Sequence, residues 1–71
     1  MDFKKIREDS QEVEYLFGYP EMDRQLVVEK ASQQGRPLDG KRDSDYAAVF
    51  VTIVRFYRSQ GSWTEGGTYA A

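Results

Sequence analysis

The stretch from Tyr46 to Tyr57 constrains the fold more than any other. Tyr-Ala-Ala-Val-Phe-Val-Thr-Ile-Val-Arg-Phe-Tyr is the dense apolar run of a chain whose mean hydropathy is −0.73. A core has to be built around it. Read as a strand, neither parity is cleanly apolar: Ala47, Val49, Val51, Ile53 and Tyr57 share theirs with Arg55, while Ala48, Phe50, Val54 and Phe56 share the other with Thr52 and Arg58. A strand buried on both faces would leave those arginines without an exit. Read as a helix, Tyr46, Val49, Phe50, Ile53, Phe56 and Tyr57 form one broad stripe opposite a narrow face of Ala48, Thr52, Arg55 and Ser59. Asp43, Ser44 and Asp45 offer N-cap chemistry, and Gly61 suits a left-handed C-terminal cap. The β-branched residues between Val49 and Val54 count against a helix, because each loses χ1 freedom there. The balance predicts a helix over 44–60; the alternative is an α+β fold with 46–57 as a strand. At roughly a dozen residues the run is too short to span a bilayer as a helix.

Two further helices are expected upstream. Phe3, Ile6, Val13, Leu16 and Phe17 recur at helical spacing, with Lys5, Glu8, Asp9 and Glu12 on the far side, and Gly18 and Pro20 supply a stop. This predicts a helix over 3–17. A second, over 20–34, opens on Pro20, places Glu21 and Asp23 at its positive end and Lys30 near its negative end, and closes at Gly35. Residues 36–43 read as a loop by their Pro, Asp-Gly and charge content. The expectation is therefore an all-α, three-helix domain over 1–62, followed by a flexible tail over 63–71.

With 71 residues and no cysteine, the chain has room for a modest core and no disulfide to brace it. Helix packing or a partner must supply the rest, which makes homo-oligomerisation a physical option. A net charge of −2 argues against general nucleic-acid binding. The first residues, Met-Asp-Phe-Lys-Lys-Ile-Arg-Glu-Asp, contain no apolar h-region, so the expected setting is cytoplasmic and no membrane partner is expected.

The motifs that suggest chemistry do not hold. Gly35 to Arg42 matches the G-x-x-x-x-G-K phosphate loop except at its last position, where Arg42 replaces the Mg²⁺-binding Ser or Thr, and what precedes it reads as a helical pattern where the motif needs a buried strand. Asp39, Asp43 and Asp45 lack the glycine and glutamate of a calcium loop and are better explained as helix caps. Without histidine or cysteine the commonest general base and the best nucleophile are missing. No enzyme activity, cofactor or metal is expected.

What remains is a surplus of aromatic and arginine side chains. Five tyrosines, four phenylalanines and one tryptophan exceed what so small a core needs, and Tyr, Trp and Arg are enriched at interface hot spots. The expected function is a small non-catalytic protein-binding module, a regulator or inhibitor or a subunit of a larger assembly. Its expected contact residues are Arg55, Tyr57, Arg58 and Trp63, with Arg36, Lys41 and Arg42 from the loop. Trp63 either folds back beside Tyr57 or anchors a partner. Two alternatives stand beside this: nucleic-acid binding through the basic loop 36–42 and the third helix, and self-association through Val49, Phe50 and Ile53.

Overall fold

The computed structural model describes residues 1–68 and contains β1 (Asp2–Glu8), β2 (Glu12–Gly18), β3 (Arg24–Glu29), β4 (Gln34–Pro37), α1 (Ser44–Gln60) and β5 (Gly66–Thr68). The first four strands form an antiparallel meander, and β5 returns beside β1, so the sheet order is β4-β3-β2-β1-β5. The fold is mixed α+β with a dominant sheet. This overturns the all-α, three-helix expectation: of the three helices, 44–60 stands, while 3–17 and 20–34 are replaced by strands. The chain is not a helical bundle. The α+β alternative had the right class but placed its strand on the one segment that is helical.

The physical reason lies in a bulge. Along β2, Val13, Tyr15 and Phe17 are buried toward the helix and alternate with Glu12, Glu14 and Leu16 on the other face. On β1, Phe3 and Lys5 stand opposite Phe17 and Tyr15, but the register then shifts between Lys5 and Arg7, so that Glu8 stands opposite Val13. Ile6 is the extra residue, and it is exposed. One inserted residue breaks period-2 alternation and makes Phe3, Ile6 and Val13 look helical. The β1–β2 turn is set by the Asp9 carboxylate, which accepts from the N–H groups of Gln11 (2.8 Å) and Glu12 (2.7 Å).

The expected second helix fails for a different reason. Leu26, Val27 and Val28 are all buried, Leu26 and Val28 toward α1 and Val27 on the opposite face, between its ladder partners Glu14 and Arg36. A strand covered on both faces loses its alternation and fits a helical stripe equally well. Gly18 lies at φ +142, where a Cβ would meet the Glu21 carbonyl oxygen; it opens the turn into β3. The Tyr19–Pro20 peptide in that turn is cis.

α1 begins and ends as expected. The Asp43 carboxylate accepts from the Tyr46 N–H at 3.0 Å, and Gly61, at φ +75, donates its N–H to the Tyr57 carbonyl at 2.8 Å. The helix connects one edge of the sheet to the other. Its 17 residues give about 25 Å of length, enough to lie diagonally over a five-stranded sheet about 19 Å wide. Tyr46, Val49 and Ile53 meet Phe3, Val13, Tyr15, Phe17, Leu26 and Val28 in one layer of core.

Trp63 completes that core at 8 % exposure, and Thr64 is buried beside it. Residues 63–68, expected within the flexible tail, are thus part of the fold through Trp63 and β5; residues 69–71 lie outside the described residues. The Tyr15 hydroxyl donates to the Thr64 carbonyl at 2.7 Å, which fixes this return to the sheet, and burial pushes the Tyr15 phenol above its ordinary range. No helix is long and apolar enough to cross a membrane among the described residues.

Candidate binding surface

The charges of this chain divide into two populations. Lys5 pairs with Glu8 and Glu65, Lys30 with Glu8, and Arg36 with Glu12 at 3.5 Å. Arg7 is held by Glu14, Asp9 and Glu12, and Arg24 by Asp39 and Asp43. Lys4, Lys41, Arg42, Arg55 and Arg58 make no ion pair with a carboxylate among the described residues. Lys4 lies on β1, and the other four sit in the loop before α1 and on α1 itself.

Arg42 lines a groove of about 390 Å³ between α1 and the edge strand β4, together with Gln33, Gly35, Tyr46, Phe50 and Val51 among others, and Arg58 reaches the Gln33 end of it. Its wall is the stacked pair Tyr46–Phe50, with ring centroids 5.8 Å apart and 16° between planes. Its floor requires a glycine: a Cβ on Gly35 would lie 2.6 Å from the Phe50 ring and 2.8 Å from the Tyr46 hydroxyl. Arg42 lies over the Tyr46 ring at 5.9 Å and donates to the Gly35 carbonyl at 3.3 Å. Arg58 donates to the Gln33 Oε1 at 3.3 Å, and Gln33 holds φ +56 in the turn before β4. Both guanidinium groups therefore rest on neutral oxygens, which carboxylates would displace to form stronger, charge-assisted bonds.

The other expected contact residues fall elsewhere. Tyr57 stacks on Trp63 with centroids 4.2 Å apart and 15° between planes, at the C-terminal end of α1. They line a second cleft of about 610 Å³ with Lys5, Glu8, Lys30 and Phe56. Its charges are mutually satisfied: Lys30, then Lys5, hold the Glu8 carboxyl below its usual range. Trp63 is a core residue here, and of the two readings left open for it the packing against Tyr57 is the one observed. Arg36 projects from the sheet face opposite α1, where it meets Glu12. Arg55 is exposed on α1, and Lys41 is exposed in the loop, where its N–H donates to the Asp39 carboxylate. The structure thus joins Arg42 and Arg58 to one groove, sets Tyr57 and Trp63 in another cleft, and keeps Arg36 on a separate face.

Sequence reasoning missed Gln33, Gly35, Tyr46 and Val51 as groove residues; Gly35 reads there as a helix stop, and Phe50 is named as a contact only for self-association. Of the three residues expected to mediate self-association, Val49 and Ile53 are fully buried in the core and Phe50 reaches the groove.

Extension of the sheet is also obstructed at both edges. Along β4, the Gly35 carbonyl is taken by Arg42, the Pro37 carbonyl accepts from the Gly40 N–H at 3.2 Å, and Pro37 has no N–H to offer. Along β5, the Thr64 hydroxyl both accepts from the Gly66 N–H (3.2 Å) and donates to its carbonyl (2.9 Å). Among the described residues no group of three acidic side chains is placed to hold a metal ion. Compared with models of protein families, with curated proteins and with solved structures, the chain matches none.

Proposed function

We propose that this chain is a non-catalytic protein-binding module, a subunit of an assembly, whose α1–β4 groove holds an acidic segment of its partner. The observation that carries this is the division of the cations. Half of the basic side chains are locked into carboxylates of the same chain, while Arg42 and Arg58 flank an aromatic groove with only neutral oxygens beneath them. Guanidinium groups beside a buried Tyr46 ring and a half-buried Phe50 are the composition of an interface hot spot. Val51, at 41 % exposure, adds apolar surface to the same flank. A cytoplasmic setting belongs to the same proposal.

The test is fluorescence anisotropy with a fluorescein-labelled peptide of alternating glutamate and tyrosine, with an unlabelled single-stranded oligonucleotide as competitor. The expected result is saturable binding that weakens with salt, is lost in the Arg42→Glu, Arg58→Glu double variant, and is not displaced by the oligonucleotide. Displacement by the oligonucleotide at lower concentration than by unlabelled peptide would transfer the groove to the nucleic-acid class. No binding of the peptide at all would end the proposal.

A further inference from the structure

We infer that the segment filling this groove is the β2–β3 loop, residues 19–23, of a second copy of the same chain. The inference rests on the groove being a binding surface and names its occupant. The loop reads Tyr19-Pro20-Glu21-Met22-Asp23. Tyr19 is 83 % exposed and Met22 39 %, the kind of apolar exposure that marks a contact surface when it is flanked by charge. Neither Glu21 nor Asp23 makes an ion pair among the described residues.

The loop and the groove are complementary in sign. Glu21 and Asp23 are two residues apart, about 7 Å of extended chain. The two guanidinium groups come to rest on the Gln33 side-chain oxygen and the Gly35 carbonyl, both on the β4 side of the groove. Met22 lies between the acids as Phe50 and Val51 lie in the groove, and a methionine side chain adapts readily to such a surface. One copy cannot satisfy itself in this way. The loop lies at one end of β3 and Gln33 beyond the other, separated by a six-residue strand about 20 Å long. The contact is therefore between copies, through two different patches of one surface. Reciprocal exchange closes a dimer, and one-way exchange builds an open chain.

Sedimentation equilibrium on the full chain tests this. The expected result is a mass above the monomer that grows with concentration up to roughly 1 mM, the scale of a weak interface. In the loop variant Glu21→Lys, Asp23→Lys the association constant should fall by about tenfold or more, while the variant still binds the glutamate–tyrosine peptide because its groove is intact. The groove variant Arg42→Glu, Arg58→Glu should be monomeric and should lose the peptide as well. A 1:1 mixture of these two monomeric variants should reassociate, since the unchanged groove of one meets the unchanged loop of the other. A wild-type chain that stays monomeric throughout overturns the inference, as does association indifferent to the loop variant. If the peptide still binds in either case, the binding role of the groove stands without it.

Discussion

Gly35 and the Phe50 ring approach so closely that a Cβ at Gly35 would sit 2.6 Å from it. The helix can lie against the edge strand only because no side chain separates them. Gly35→Ala should therefore displace the Phe50 ring and destabilise the fold by about 1–3 kcal/mol, the range of overpacking substitutions. Urea denaturation followed by Trp63 fluorescence measures this. A neutral or stabilising outcome would mean that α1 and β4 are less tightly apposed.

Tyr15 and Thr64 provide a second check. The hydroxyl of the fully buried Tyr15 meets the Thr64 carbonyl, and no other donor serves that oxygen among the described residues. Tyr15→Phe keeps the ring and removes the bond, which should cost about 1–3 kcal/mol, the desolvation penalty of a buried group left unpaired. Urea denaturation of this variant should show a lower midpoint at unchanged slope.

Trp63→Ala separates a core role from an interface role. A tryptophan stacked on Tyr57 and buried against the sheet should cost about 3–5 kcal/mol on truncation, most of what a domain this small has to lose. The variant is expected to lose its far-ultraviolet helical signal at 37 °C. Full retention of that signal would contradict the packing of Trp63.

Acid should unfold the chain through a few specific carboxyls. The Tyr46 N–H, then Arg24, hold Asp43 below its usual range, and Arg24, then the Lys41 N–H, do the same for Asp39. Because these folded-state values lie below the unfolded ones, their stabilising contribution is full above the unfolded aspartate value of about 3.9 and is lost as pH falls through the folded values. Thermal melts should therefore show Tm falling below about pH 4, and the Asp39→Asn, Asp43→Asn double variant should show a shallower fall from a lower starting point. An identical slope in the double variant would place the acid sensitivity elsewhere.

The helix was legible in the sequence because its signals agree. Its stripe, the cap at Asp43 and the stop at Gly61 all point to 44–60. The sheet was not, for local reasons. A bulge at Ile6 disguised β1, burial on both faces hid the alternation of β3, and Gly18 and Gly35 serve a turn and a close approach where each reads as a helix stop. Of the expected contact residues, Arg42 and Arg58 were legible as basic and exposed. That they share one groove follows from the sheet, since Gly35 and Gln33 reach them only through β4 and its preceding turn. Trp63 misled for a related reason: its ring lies in the core, but the strand that returns it there is three residues long and glycine-rich, with little strand signal of its own.

Amide chemical-shift mapping of the isotopically labelled chain, titrated with the alternating glutamate–tyrosine peptide, tests the binding surface most directly. The account predicts saturable shifts at Gln33, Gly35, Arg42 and Tyr46 to Val51, with Gly61 to Thr64 unmoved. Shifts confined to the Tyr57–Trp63 cleft, or to the sheet face that carries Arg7 and Arg36, would contradict it.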